Sequence, residues 1–353
     1  MTRPETITQL ADALRSLAEA HRTIRLGGNF TKDCLGSARL GGSVCPAGET
    51  ISASALRRLL KYEPRDLTIS VEAGMPWAEL ERTLAEHGQM LPLDPAFGGE
   101  MATVGGVIAA NQSGPLRRLY GAARDMVIGM TFVTLEGQEI RTGGNVVKNV
   151  AGLDMGKLMI GSFGTLAAIA SVNFKVFPIP PASRTFVMEF ATAAEAFAER
   201  DRILRGHIPP AAIDLVNWDT VKQIGGFRLL IRAMGTPAVV ERFTHEFTRA
   251  KALDGDEQTA LWRDVREFTP RFLDANPAGG VVAIPCSLTA MREVVEKMNA
   301  PFIARAGSGV VYAHYATNPP PVTVRDDAEM MKKVKRMFDP ENLLNRGRLH
   351  GYL

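Results

Sequence analysis

The residues best suited to chemistry are glycines with small polar neighbours, gathered in four segments. The first is Leu26-Gly27-Gly28-Asn29-Phe30-Thr31-Lys32-Asp33, directly after a short β-prone run, Thr23 to Leu26. Glycines after a strand let the backbone turn sharply and aim successive N–H groups at one point, an anion nest. Asn29 tolerates positive φ, and Thr31 and Lys32 can donate to phosphate oxygens. No GK[ST] follows, so this is not a Walker P-loop, and it is not GxGxxG either. An ordinary strand-to-loop turn would read the same way. The second segment runs from Asp94 to Gly114. Thr103 suits the N-cap of a short helix starting near Val104. Gly105, Gly106, Ala109 and Ala110 then leave one helix face almost without side chains, so a flat ring and a diphosphate could come close to the backbone. A small-residue helix packed tightly on a neighbour has the same composition. The third segment, Gly143 to Leu166, sets six glycines around a short amphipathic helix and ends in a strand. The fourth, Asp339 to Arg348, reads by itself as a solvated tail.

Those segments must be positioned by regular elements. Ile7, Leu10, Leu14 and Leu17 recur at helical spacing, which predicts a helix over residues 5–20. Leu67 to Val71 reads as a strand. Pro76 begins a helix that Gly88 ends, with Trp77, Leu80, Leu84 and His87 on one face. Asp125 to Leu135 and Gln138 to Arg141 form a hairpin about Glu136-Gly137. Leu166 to Phe177 alternates and reads as a long strand stopped by Pro178-Ile179-Pro180-Pro181, a domain boundary. Ala193 to Leu204 is amphipathic, and a last helix over about 327–338 carries Met330, Val334, Met337 and Phe338 on one stripe. Strands and helices do not alternate as βαβ units, so the fold class is α+β rather than a doubly wound Rossmann domain.

Composition narrows the function. A chain of 353 residues suggests two domains or one domain with a large insertion. Its net charge of +3 is spread along the chain without basic runs that alternate with aromatics, which argues against nucleic acid as a partner. Three cysteines, Cys34, Cys45 and Cys286, make no CxxC, against a disulfide framework, a zinc site or a cysteine-ligated cluster. No two of the six histidines stand at a short metal-ligand spacing, so no metal is expected. The N-terminal stretch lacks a signal-type apolar core, and no window is long and apolar enough to span a membrane. The expected location is the cytoplasm, with any attachment to the inner membrane made through partners.

The four segments, in this order, resemble the PCMH-type FAD-binding domain of the vanillyl-alcohol-oxidase superfamily. The likeness covers about residues 20–178 and the last stretch of the chain. VEAGMPWAELERTLAEHGQMLPLDP, GGNVVKNVAGLDMGKLMIGSFGTL and FDPENLLNRGRL carry it, and resemble most the FAD-binding subunits of bacterial glycolate oxidases. The resemblance implies a two-lobed FAD-binding domain over residues 1–178, a smaller α+β cap over 179–326, and a C-terminal segment, 327–353, that returns to the FAD domain. Carried over by position, Gly27, Gly28, Asn29, Phe30 and Thr31 would wrap the diphosphate. Ala102, Thr103, Gly105 and Gly106 would lie against the flavin and ribityl chain. Pro95, Ser113, Gly114, Gly161, Gly164, Thr165 and Ile169 would frame the remaining cofactor surface, and Asn345 and Arg348 would return toward the flavin ring. Some relatives attach FAD through a histidine just after the first GG. Asn29 stands there, so dissociable, non-covalent FAD is expected. The usual NPG near the C-terminus reads Asn345-Arg346-Gly347.

In the cap, Arg305 is suited to binding a carboxylate and His314 to taking a hydroxyl proton. A surface arginine and a packing histidine fit the same positions. Three functions follow from the resemblance. One is a subunit of a complex that oxidises 2-hydroxy acids such as glycolate, beside a larger flavoprotein subunit and an iron–sulfur subunit. The second is an autonomous FAD-dependent 2-hydroxy-acid dehydrogenase using Arg305 and His314. The third is a non-catalytic FAD-binding relay or assembly subunit.

Overall fold

Thr6 opens the first helix, Ile7–Glu19, by accepting a hydrogen bond from the Gln9 amide at 3.2 Å. An N-cap hydroxyl of this kind satisfies one of the helix's orphan donors. The helix buries Leu10 and Leu14, its apolar stripe, and leaves its other faces to solvent. The computed structural model describes residues 1–33, 35, 48–99, 101–144, 154–218, 226–317, 319–320 and 328–348. The chain divides into two units, Met1–Gln112 with Ala122–Pro178 and Pro321–Leu353, and Ser113–Gly121 with Ile179–Pro320.

In the first unit a parallel pair, Ile24–Gly27 beside Glu49–Ser52, stands apart from a five-stranded antiparallel sheet. The sheet order is Leu59–Glu63, Thr68–Glu72, Ala168–Lys175, Val127–Val133, Glu139–Gly143. Val71 and Met130 both sit opposite Val172, which fixes Ala168–Lys175 as the central strand. It is buried almost throughout, as a strand covered on both faces should be. The alternation read in Leu166 to Phe177 therefore does not translate into one wet face. Asp125 belongs to a helical turn, Ala123–Met126, where its carboxylate accepts the Ala122 amide at 2.8 Å, so the hairpin's first strand starts at Val127. On Trp77–Ala85, Trp77, Leu80 and Leu84 are buried, whereas His87 lies beyond the helix and is exposed.

The C-terminal segment completes this unit. Leu343 and Leu344 join Leu10, Leu14, Ile24, Ile51 and Val133 in one core. The Ile24 amide donates to Leu343 O at 2.8 Å, and the Asn345 amide donates to Ile24 O at 2.9 Å. The last helix, Ala328–Phe338, does not bury its expected methionine stripe: Met330 and Met337 are 61% and 81% exposed, while Ala328 and Lys335 are buried. The reason is polar. The Lys335 ammonium pairs with Asp339 and donates to Thr165 O at 2.7 Å and Leu344 O at 2.9 Å. A buried charge satisfied this fully sets the rotation of the helix against its apolar pattern.

The second unit is built on a seven-stranded antiparallel sheet: Lys251–Leu253, Ala182–Phe190, Phe227–Gly235, Ala212–Val216, Phe302–Arg305, Val310–Tyr315, Gly280–Pro285. Period-two alternation splits Ala212–Val216 between two cores. Ile213 and Leu215 join Phe186, Phe197, Phe243 and Phe302, while Ala212 and Val216 join Trp218, Leu230, Trp262 and Val265. Ala193–Leu204 is a helix over the span read from sequence, and Thr192 and Glu195 close its start as a capping box. Ser113–Gly121 belongs to this unit although the chain on either side of it belongs to the first. Arg118 Nη1 fastens it by donating to Gly307 O at 3.1 Å.

Candidate functional site

Close approach of two small-residue segments makes an open cleft of about 720 Å³ in the first unit. One wall is the loop after the strand Ile24–Gly27. The other is the short helix Val104–Ala109, capped by Thr103 Oγ1, which accepts the Gly106 amide at 3.2 Å. Val104, Val107 and Ile108 face the core, and Gly105, Gly106, Ala109 and Ala110 face the cleft. Two glycines are required by contact distance. A Cβ on Gly28 would lie 2.2 Å from Thr103 Oγ1, and one on Gly105 would lie 2.8 Å from Ala73 Cβ. Real Cβ atoms do not come so near a heavy atom. The segments touch because neither position carries a side chain.

Ser162 and Thr165 shape the floor. Ser162 Oγ donates to Met159 O at 2.9 Å, and Thr165 Oγ1 donates to Ser162 O at 2.7 Å. The turn is stitched to the short helix by the Gly161 and Phe163 amides, which donate to Ile108 O and Ala109 O at 3.1 and 2.9 Å. Asn345 then clamps floor to wall. Its Oδ1 accepts the Leu26 amide at 2.8 Å, and its Nδ2 donates to Leu26 O and Phe163 O at 2.9 and 2.7 Å. Asn345 takes a left-handed φ of 44°, which asparagine tolerates, so the Asn-Arg-Gly sequence still turns the chain here.

Of the residues expected at a cofactor, Gly27, Gly28, Asn29, Phe30, Thr31, Thr103, Gly105, Gly106, Gly164, Ile169 and Arg348 line this cleft. Pro95, Ala102, Gly161, Thr165 and Asn345 lie in the same unit but not in the lining, and Ala102, Thr165 and Asn345 are buried within its walls. Ser113 and Gly114 belong to the second unit, where Ser113 Oγ is buried with no hydrogen-bond partner among the described residues. The lining also takes in Ala53, Ala73, Phe163, Ala167 and Ala168, which no sequence signal had separated from core alanines and phenylalanines. The anion-nest residues differ in detail from expectation. Phe30, not Asn29, has the positive φ, 57°, and Asn29 Nδ2 donates to Met101 O at 2.9 Å. Lys32 is buried, its ammonium 3.3 Å from Phe97 O. The Asn145–Leu153 part of the third glycine segment lies outside the described residues.

Arg348 lines the cleft in company with Asp33. Its Nη1 donates to Asp33 O and Leu35 O at 2.9 and 3.2 Å, and its Nη2 pairs with the Asp33 carboxylate. The second oxygen of Asp33 pairs with Arg25, whose guanidinium lies 4.2 Å over the Phe30 ring. The Nε of each arginine is buried and unbonded among the described residues.

Arg305 and His314 stand on adjacent strands of the second unit, both buried. Arg305 Nη1 pairs with the buried Asp214. His314 Nε2 lies 2.9 Å from Thr269 Oγ1 and Nδ1 lies 3.3 Å from Pro301 O. Phe268 and Phe272 meet the imidazole edge-on at centroid distances of 4.8 and 5.3 Å. Burial lowers the His314 pKa to about 4, the Arg305 charge pushes it the same way, and the Pro301 and Tyr312 carbonyls oppose. A neutral imidazole with both nitrogens engaged is the state this packing selects. Among the described residues no group of three or more His, Cys, Asp or Glu could hold a metal, and no helix is long and apolar enough to cross a membrane.

Comparison with known proteins agrees with a cleft of this kind. Residues 1–143 match the family described as FAD binding domain, and residues 323–349 match the C-terminal domain of FAD linked oxidases. The chain is 35% identical over 223 residues to "Glycolate oxidase subunit GlcE" of Escherichia coli (strain K12), covering 62% of this chain and 59% of that protein. It is 32% identical over 183 residues to "Glycolate oxidase subunit GlcD" of Bacillus subtilis (strain 168), covering 51% of this chain and 38% of that one. It is 36% identical over 155 residues to "D-lactate dehydrogenase [cytochrome], mitochondrial" of Arabidopsis thaliana, covering 44% and 26%. The chain thus spans less than two thirds of the length of these relatives. Among solved structures, "alkyldihydroxyacetonephosphate synthase in P1" matches with a TM-score of 0.71 at 19% identity, covering 97% of this chain and 74% of that one. At that identity the match speaks for the fold alone, an α+β arrangement of mixed helices and sheets.

Proposed function

We propose that the chain, whose residues 1–143 and 323–349 match the FAD binding domain and the C-terminal domain of FAD linked oxidases, takes FAD as its cofactor and is the FAD-binding subunit of a complex that oxidises 2-hydroxy acids, glycolate to glyoxylate foremost. The observation that carries this reading is the cleft whose walls are bare backbone at Gly27, Gly28, Gly105 and Gly106. Amides of the loop that follows Gly27 can point at two phosphates, and the side-chain-free face of Val104–Ala109, whose Gly105 and Gly106 amides are taken by Ala73 O and Thr103 Oγ1, can lie flat against a ring. Bound FAD would supply a carrier for the two electrons that the oxidation releases. The chain's own residues bind and orient it: the Gly27–Thr31 loop holds the diphosphate, Thr103 keeps the short helix capped, and Asn345 keeps floor and wall together.

A larger flavoprotein partner turns over the acid, and an iron–sulfur partner takes the electrons onward. The identity to a glycolate oxidase subunit supports this division of labour. So does the internal engagement of Arg305 and His314, the residues that an autonomous dehydrogenase would have needed free. The autonomous reading draws its own support from relatives named D-lactate dehydrogenase. The FAD is dissociable, because Asn29, at the position of the linking histidine, offers an amide that forms no bond to flavin. The complex sits in the cytoplasm and meets the inner membrane only through its partners.

One experiment separates the readings. The FAD-loaded full chain is mixed anaerobically with glycolate and with D-lactate, alone and after its partner subunits are added. The proposal expects its flavin to bleach only in the complex. Bleaching of the isolated chain would establish the autonomous enzyme instead, and no bleaching of this flavin even in the complex would leave an assembly role.

A further inference from the structure

The Arg25–Asp33–Arg348 triad stands at the end of the loop that faces the cofactor, and sequence resemblance alone would send Arg348 elsewhere, toward the flavin ring. We propose that Arg348 is a positioning residue for the Gly27–Asp33 loop, acting through Asp33 rather than on the flavin. The inference rests on reading the cleft as the FAD site and adds to that reading how the site is held ready.

Three observations converge. Arg348 addresses the loop with both terminal nitrogens, to the carbonyls of Asp33 and Leu35 and to the Asp33 carboxylate. An arginine fork that meets a carboxylate and two carbonyls on one segment fixes that segment's direction as well as its position. Asp33 is in turn shared, one oxygen to Arg348 and the other to Arg25. Arg25 comes from the strand that leads into the loop and covers Phe30 at 4.2 Å. Phe30 is the loop's left-handed residue, and a Cβ on Gly27 would lie 2.6 Å from its ring, so the aromatic is wedged between Gly27 and Arg25. Both ends of the loop are therefore fastened before any ligand arrives. Preorganisation of this kind raises affinity by removing the ordering cost of binding. Arg348 reaches the loop from 315 positions downstream, so the fastening also ties the cofactor loop to the last helix and its tail.

The test uses the full chain stripped of FAD and titrated with FAD by flavin fluorescence quenching, with the reduction potential of the bound flavin as second readout. Arg348→Gln and Asp33→Asn should each weaken FAD binding by about tenfold or more, the scale of a lost charge-assisted hydrogen bond. The double variant should be little worse than either single one, because both remove the same link. The potential of the flavin that remains bound should be that of the wild type. Arg348→Lys should restore little, since a single nitrogen on a shorter side chain does not present the planar fork whose two separate nitrogens meet Asp33 and Leu35. Arg25→Gln, in a side chain only 29% exposed, should weaken binding by a smaller factor and serves if Arg348→Gln does not fold. The proposal is overturned by a shifted potential with unchanged affinity in Arg348→Gln, by losses that multiply in the double variant, or by wild-type affinity in both Arg348→Lys and Arg25→Gln. Failure of the wild type itself to bind FAD would instead sink the reading of the cleft.

Discussion

His314 shows how far one residue's role depends on partners that adjacency in sequence does not reveal. Read along the chain, it is a histidine at the end of a strand, suited to a base or to packing. Folded, it meets Thr269, Phe268 and Phe272 from the helix Gly255–Ala275, which lies about 45 positions upstream, and they close it off. Its pKa of about 4 is depressed from 6.5, so unfolding at mildly acid pH gains a proton. Linkage then gives the sign: stability from this group is fully present above pH 6.5 and is lost as pH falls toward 4, by up to about 3 kcal/mol. Urea unfolding of the wild type and of His314→Gln at pH 7 and pH 4.5 isolates the effect from that of the carboxylates. The wild type should lose more stability between the two pH values than the variant does. Equal losses would mean that His314 is already charged or exposed in the fold.

At the scale of elements, the short helix Val104–Ala109 was largely legible. Thr103 before Val104 announces the cap, and Gly105, Gly106, Ala109 and Ala110 announce a bare face, because both signals are local. What remained illegible was which glycine is compulsory, since that depends on the neighbour across the gap. Gly105 packs on Ala73 from a different segment, whereas Gly99 has open space where a Cβ would stand. Gly105→Ala should therefore cost about 1–3 kcal/mol through overpacking and weaken FAD binding, while Gly99→Ala should leave both unchanged. Thermal unfolding and FAD titration of the two variants make the comparison. If Gly105→Ala matches the wild type in both, the helix and Ala73 are not in the contact described. The final helix shows the opposite case. Its periodicity is strong, but Thr165 and Leu344 supply carbonyls that draw Lys335 inward, and no local pattern encodes that.

For the whole molecule, the decisive feature is that the chain leaves the first unit at Pro178 and returns to finish it. The Pro178–Pro181 cluster marks the departure in the sequence, but the brief excursion of Ser113–Gly121 carries no mark, because its glycines and arginines fit a surface loop equally well. The return is anchored at Asp339. Its carboxylate accepts the Leu343 and Leu344 amides at 2.8 and 2.7 Å and pairs with Lys335, so it turns the tail and delivers Leu343 and Leu344 to the core. Both partners of the ion pair are almost wholly buried. Breaking such a pair from one side costs about 3–5 kcal/mol, because the other charge is left without compensation. Lys335→Met should fall in that range, and Asp339→Ala should cost at least as much, since it orphans two buried amides as well as the ammonium. Both should lower FAD affinity, because Asn345, a few residues on, clamps Leu26 and Phe163 at the cleft. Equilibrium unfolding in urea ranks the two variants. An Asp339→Ala protein more stable than Lys335→Met would show that the lysine, through Thr165 O and Leu344 O, and not the carboxylate, holds the tail in place.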